Sequence, residues 1–341
     1  MTNIKSKLDP ILLNQHVDGM LVKHTAFTEI LDQLNDAFEM APHLKRSAGL
    51  FIVGESRTGK STVAEKLAET HPPYRTEEGL VSEVVYVQVP SKPSVKGLAT
   101  EILYALGDPL ANKGTEHDKT QRILLLIKHC KTRMLILDEF HHFVDKASKY
   151  TVIHNVADWL KCLINQARLV TVIISLPYGQ KVLVQNEQLR GRFNSPMIMP
   201  RFDWADDYFR AEFLGLLEGF TDMMRERFDV PDFHSEELAY RFYLASGGLT
   251  GYVFNILQET ARDVIRCGSN VITMSGLDRN YLKTISEVDR HEVSPFSTHF
   301  NLEDGKAYEN ARIIGLRGDE YLQRVSMNTF KPKTLNQPLA Y

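Results

Sequence analysis

The sequence predicts an α/β protein, a parallel β-sheet flanked by helices and followed by an all-helical region. Three observations carry that prediction. Between about residues 45 and 200, apolar strands alternate with amphipathic helices. Each of those strands is a continuous apolar run rather than an apolar–polar alternation, the mark of a parallel sheet buried on both faces. After "MIMPRFD" (197–203) the pattern turns wholly helical to about residue 265.

The elements follow in order. Phe27, Ile30, Leu31, Leu34 and Phe38 recur at helical spacing, so 24–41 is expected to be a helix. "AGLFIVG" (48–54) reads as a buried strand ended by Gly, and 61–70 as a helix stopped by Pro72 and Pro73. "EVVYVQVP" (83–90) is β-branched and ends on Pro90, giving a second strand. Helices are expected over 94–107, closed by Gly107, and over 118–131. The second leads into "RMLILDEF" (133–140), the most hydrophobic strand of the chain. A helix over 156–167 and the strand "LVTVIISLP" (169–177) complete the alternation. Three helical segments occupy 206–265, and from about 286 the pattern fades into a polar, Pro-containing end. The expected division is an N-terminal helical extension (1–44), a nucleotide-binding core (45–203), a helical lid (204–285) and a partner-binding tail (286–341).

Composition bounds the function. A length of 341 residues fits about two domains. The chain is 43% hydrophobic and 24% charged, ordinary for a protein with a real core. A net charge of −3 gives no global field for nucleic acid, so any DNA contact must come from local basic patches. Cys130, Cys162 and Cys267 lack CxxC spacing, which argues against a cysteine zinc site and a disulfide framework and fits a reducing cytoplasm. The first residues hold no sustained apolar segment, and no stretch is long enough to cross a bilayer. The expectation is a cytoplasmic protein with no membrane partner.

"GESRTGKS" satisfies G-x-x-x-x-G-K-[ST] and sits between an expected strand and an expected helix, the context a P-loop requires. Gly54 and Gly59 permit the tight path. The backbone of Glu55, Ser56, Arg57, Thr58 and Gly59 cradles phosphate, with Thr62 in the first turn of the helix beyond. Lys60 reaches the β- and γ-phosphates of ATP, and the Ser61 hydroxyl ligates Mg²⁺. The metal site needs a second acidic strand. "MLILDEF" supplies Asp138 for Mg²⁺ and Glu139 as the general base toward water, which together read as an NTPase. Ser175, near the end of the next strand, is either a sensor of the γ-phosphate or a buried strand-end Ser satisfied by backbone. "DEFHHF" also contains D-E-x-H, but a helicase of that class needs two such cores and the chain has room for one. His141 and His142 are expected to cap or pack rather than bind metal. In "QLRGRF" (188–193), Arg192 is the first choice and Arg190 the second for an arginine that neutralises phosphate charge on a neighbouring subunit.

Taken together, "GESRTGKST", "VQVPSKPSVKGLATEILYALGDP", "MLILDEFHHF", "QLRGRF" and "ASGGLTGYVFNIL" resemble AAA+ ATPases of the initiator type. More narrowly they resemble the TniB/TnsC family of transposition regulators of Tn7-like elements, over roughly residues 20–285. The resemblance implies an AAA+ ATPase that assembles as a ring or helical filament on double-stranded DNA. It also implies a link between a TniQ-type or CRISPR-associated targeting protein and a transposase. The family's DNA contacts map onto Lys92, Lys96, Lys119, Thr120 and Arg122, with Lys146 and Lys149 weaker candidates; solvated surface side chains are the alternative for each. One departure concerns the Gly turn: Tyr252 stands where a relative carries a lid sensor Arg, which puts lid sensing in doubt, while Thr250–Gly251 remains able to pack on nucleotide. An initiator or helicase-loader ATPase, expected to carry a C-terminal winged helix, and a nucleotide-gated switch that never touches DNA are the rival readings.

Overall fold

The structure, a computed structural model, describes residues 9–44, 46–144, 150–184 and 187–316. Lys146 and Lys149 lie outside the described residues, as does 317–341. In chain order the elements are α1 (Pro10–Asp18), α2 (Thr25–Met40), β1 (Ala48–Val53), α3 (Lys60–Thr70), β2 (Tyr74–Thr76), β3 (Gly79–Val81) and β4 (Val84–Gln88). There follow α4 (Val95–Ala105), α5 (Glu116–His129), β5 (Met134–Asp138), α6 (Tyr150–Ala167), β6 (Val170–Ser175), α7 (Lys181–Val184), α8 (Glu187–Arg190) and β7 (Met197–Ile198). The remainder is helical: α9 (Asp207–Arg225), α10 (Glu236–Ser246), α11 (Thr250–Arg266), α12 (Met274–Thr284) and α13 (Gly305–Ile313).

The chain divides into two compact units, Ala26–Pro200 and a second formed by Met1–Thr25 with Arg201–Tyr341. The first contains the expected parallel sheet, in the order β4-β5-β6-β1-β7. Every residue of β5 and β6 is buried, as continuous apolar runs require in a sheet covered on both faces. Register places Val53 beside Ser175, Leu137 beside Ile173 and Gln88 beside Asp138. The C-terminal ends of β1, β4, β5 and β6 therefore meet at one sheet edge. The β2–β3 hairpin is a separate antiparallel pair that periodicity did not announce.

The second unit is helical and differs from the four-part expectation at both ends. Leu13 and Val17 of α1 join its core, so part of the N-terminal extension belongs here. Phe296, Tyr308 and Ile314 are buried in the same core, so 286–316 is folded rather than tail. The reason is long-range hydrogen bonding invisible to local pattern. Buried Arg201 donates from Nη1 to the carbonyls of Gly247 at 3.3 Å and Arg312 at 3.1 Å, and from Nη2 to that of Ile314 at 2.5 Å. The Gly turn itself is a close approach. Gly248 has φ 75°, and a Cβ there would stand 1.9 Å from the Phe202 carbonyl oxygen. Among the described residues no strand follows β7.

Candidate functional site

The P-loop begins where β1 ends. Val53 pairs with Ser175 on one side and Ile198 on the other, and the Gly54 amide donates to the Ser175 carbonyl at 3.4 Å. A Cβ on Gly54 would lie 2.3 Å from the Met199 carbonyl oxygen and 2.9 Å from Thr58 Oγ1, so only glycine fits. The loop then curls on itself, with Arg57 at φ 65° and Gly59 at φ 96°. The Glu55 carbonyl accepts from Thr58 Oγ1 at 2.9 Å and from Lys60 Nζ at 2.6 Å. Helix α3 starts at Lys60 with Gly59 as its N-cap and no side-chain cap. The amides of its first turn thus keep the positive end of the helix available, the arrangement that receives phosphate. Glu55 is half-buried, Ser56 and Thr62 are exposed, and Ser61 is half-buried in the first turn.

Asp138 ends β5 at the same sheet edge and is 1% exposed. Its Oδ2 accepts from the Tyr86 hydroxyl at 2.7 Å, and its Oδ1 accepts from the Glu139 amide at 2.6 Å. Each oxygen keeps a lone pair, so with the Ser61 hydroxyl the donor set is hard oxygen and fits Mg²⁺. Burial first, and the charge of Asp138 second, push the Tyr86 phenol far up, so it remains a donor. Burial and the Asp138 charge likewise raise the Glu65 carboxyl, which places a further acid close to the site. Neither Tyr86 nor Glu65 was found from sequence. Glu65 lies one helical turn beyond Ser61, a spacing that offered a signal, whereas Tyr86 depended on the pairing of β4 with β5.

Glu139 sits in the left-handed region at φ 56° and ψ 32°, a conformation that costs a non-glycine residue about 1–3 kcal/mol and clusters at functional sites. Its carboxylate lies 3.2 Å from His141 Nε2. Ser175 is buried, and its hydroxyl donates to the Leu176 carbonyl at 3.0 Å, the backbone partner that the strand-end alternative requires.

Arg192 and Arg190 lie elsewhere. The Arg192 carbonyl accepts from the Gly49 amide at 2.9 Å, and Phe193 bridges in parallel to Gly49. Gly49 is four residues before Val53, so Arg192 stands about 13 Å back along β1 from the P-loop at ~3.3 Å per residue. That is the opposite end of the strand. Arg192 is half-buried, with its Nε screened from solvent and making no hydrogen bond, and Arg190 is exposed.

The basic candidates separate. Lys92 and Lys96 are exposed. Lys96 borders a cleft of about 510 Å³ whose wall also carries Glu116 and Asp158. Lys119 is corrected: it is wholly buried, and its ammonium donates to the Ala111 carbonyl, so it holds the loop before α5 rather than a phosphate. The signal was available, since Lys119 shares the four-residue spacing of Ile123 and Ile127 on the buried face of α5. Thr120 Oγ1 accepts from Trp159 Nε1 at 3.0 Å. Arg122 donates to the Lys113 and Leu110 carbonyls at 3.1 and 2.9 Å and pairs with Asp108 at 2.9 Å. Both are committed to internal contacts. In the helical unit, Tyr252 is buried, and its hydroxyl donates to Asp289 at 3.4 Å.

The family model described as "Bacterial TniB protein" matches residues 14–203. No curated protein matches the chain in sequence. Among solved structures, the fold is similar to the ORC2 protein of Aeropyrum pernix in ADPNP–ADP complexes, with TM-score 0.57 and 13% identity over 94% of this chain and 85% of that one. It is similar to Cdc6p from Pyrobaculum aerophilum, with TM-score 0.57 and 12% identity over 94% of each chain. The Aeropyrum pernix ORC1 protein in complex with DNA gives TM-score 0.55 and 13% identity over 82% of this chain and 71% of that one. At such identities the likeness speaks for the fold alone.

Proposed function

The chain belongs to the TniB family and carries the AAA+ P-loop fold, and on that premise we propose that it is an ATP-driven regulator of DNA transposition. ATP would lie with its phosphates on the first turn of α3 and on Lys60; Ser61 and Asp138 would hold Mg²⁺, and Glu139 would take a proton from the attacking water. When bound, Mg²⁺ neutralises charge on the phosphates. Subunits assemble as a ring or helical filament on duplex DNA. Arg192, with Arg190 as second choice, completes the site of the neighbouring subunit. Its position at the far end of β1 from its own P-loop supports action in trans. Lys92 and Lys96 neutralise DNA phosphates without reading bases. The assembly links a TniQ-type or CRISPR-associated targeting protein to a transposase, with the part of the expected 286–341 tail beyond residue 316 as the partner-binding segment.

The observation that carries this reading is the meeting, at one sheet edge, of an uncapped P-loop helix with a buried Asp followed by Glu, in a chain of this family. The fold shared with ORC2 and Cdc6p is also compatible with a second reading, an initiator or helicase-loader ATPase. Sedimentation and electron microscopy with unrelated duplexes, in ATP and in ADP, separate them. ATP-dependent, salt-sensitive polymers on any duplex support the first reading, and single particles at one preferred sequence support the second. No DNA binding in either nucleotide leaves only a nucleotide-gated protein switch. Lys60→Ala is expected to lose nucleotide binding and assembly together. Mixing Arg192→Ala with Glu139→Gln subunits, which still bind ATP and keep Arg192, is expected to restore part of the hydrolysis that each lacks alone. If the mixture stays as inactive as its components, the arginine does not act in trans.

A further inference from the structure

Two histidines follow Glu139 in the order Glu139-Phe140-His141-His142, on a 3₁₀ turn spanning Phe140–Phe143. Such a turn repeats every three residues, which brings positions i and i+3 onto one side. With Glu139 in the left-handed conformation ahead of the turn, its Oε2 lies 3.2 Å from His141 Nε2 and 3.9 Å from His142 Nε2. One ligand atom from each of the three residues falls within 4.8 Å of the others.

A tetrahedral ion with bonds of about 2.1 Å spaces its ligand atoms ~3.4 Å apart. The first separation is already near that value, the second is 3.9 Å, and all three ligand atoms fall within 4.8 Å of one another, so an ion must draw them together.

The ring of His142 is also oriented from behind. Its Nδ1 lies 2.9 Å from the Val89 carbonyl oxygen. A carbonyl only accepts, so Nδ1 carries the hydrogen and Nε2 is left as the basic nitrogen facing Glu139. A backbone carbonyl on the far nitrogen is the outer partner that metal-ligating histidines carry. His141 is buried, with the Tyr178 ring edge-on to it at 5.6 Å. The Glu139 side chain, 41% exposed, leaves an entry path. Two imidazoles converge on one carboxylate oxygen.

We propose that Glu139, His141 and His142 form a Zn²⁺ site separate from the Mg²⁺ ligands Ser61 and Asp138. Two imidazoles and a carboxylate suit Zn²⁺ and disfavour Mg²⁺, which prefers an all-oxygen shell. The consequence rests on the reading of Glu139 as general base: a bound ion occupies the carboxylate that would activate water. Zn²⁺ then halts hydrolysis while ATP stays bound, and prolongs the ATP-bound assembly.

The test uses the full chain, free of any affinity tag and of nucleotide, with Co²⁺ as probe. One equivalent of Co²⁺ is expected to give the visible absorption bands of a low-coordinate site, and Zn²⁺ to displace it. His142→Gln, whose side chain is only half-buried in the parent, and His141→Ala are each expected to weaken binding by about tenfold or more. Circular dichroism and melting confirm that each variant is folded. Co²⁺ bands that are absent from the parent, or unchanged in folded variants, overturn the site. With MgATP in excess, Zn²⁺ is expected to lower the parent's hydrolysis by about tenfold or more. The same Zn²⁺ should leave His142→Gln at its own metal-free rate. Binding without inhibition overturns the consequence and, with it, Glu139 as base, but leaves the site standing. Loss of hydrolysis in Glu139→Gln without Co²⁺ binding by the parent does the reverse.

Discussion

Asp138 shows how one carboxylate is set by its neighbours. Tyr86 from β4 and the Glu139 amide each hold one of its oxygens, and the buried phenol stays protonated and keeps donating. Tyr86→Phe retains the ring and removes the donor. The Mg²⁺ concentration giving half-maximal hydrolysis is then expected to rise by about tenfold or more, as for other outer partners of metal ligands. A Mg²⁺ titration of ATP hydrolysis checks this, and an unchanged midpoint counts against Asp138 as a ligand. Glu139→Gln is expected to behave differently: hydrolysis falls by about 10²- to 10⁴-fold while ATP binding persists, read by single-turnover assays beside equilibrium binding. If the variant hydrolyses ATP at the parent rate, another group is the base. The place of Asp138 and Glu139 at the end of β5 was legible because a continuous apolar run reads as a buried strand. Tyr86 was not, because its role depends on which residue of β5 lies beside it.

At the scale of elements, β1 leads into the P-loop at one end and packs on the Arg192–Phe193 segment through Gly49 at the other. A Cβ on Gly49 would come within 2.6 Å of the Phe193 ring and 2.8 Å of the Arg192 carbonyl oxygen. Gly49→Ala therefore forces the Arg192–Phe193 segment away from the sheet, at a cost of about 1–3 kcal/mol for overpacking. A lower melting temperature is expected, together with weaker ATP hydrolysis in the assembled state and near-normal ATP binding by single subunits. Equal loss of both would mean that the change acts on the P-loop instead. The four long strands were legible as continuous apolar runs. The β2–β3 hairpin was too short for a pattern to build. Helix α5 was legible too, although its start at Glu116 is set by the capping box between Thr115 and Asp118.

For the molecule as a whole, the helical unit carries an acid sensitivity. Burial lowers the pKa of His24, against a smaller opposing effect of Glu212. Burial also lowers that of His291, against the opposing Leu244 carbonyl, which accepts from its Nε2 at 3.0 Å. Both side chains are therefore held neutral in the folded state, while the unfolded chain takes up protons from its ordinary value of 6.5 downward. Their stabilisation is complete above that value and is lost as pH falls through it toward the folded pKa. Thermal melting is expected to move to lower temperature as pH drops below about 6.5. His291→Gln, which can still donate to Leu244, should make that dependence shallower. An unchanged slope in a folded His291→Gln protein would assign the acid sensitivity to other groups.

The sequence by itself determined the parallel sheet, the P-loop and its acidic partners, because each is written in a contiguous run whose chemistry is local. Tertiary structure alone decided where residues 286–316 belong, since Arg201 gathers carbonyls more than a hundred positions further along the chain. It removed Lys119 from the surface, since a lysine on the buried stripe of a helix is settled by what packs over it. It also set Arg192 at the far end of β1 and turned Glu139 toward two histidines. Strand pairing and a single left-handed residue fix those distances, and neither leaves a mark in the spacing of residue types.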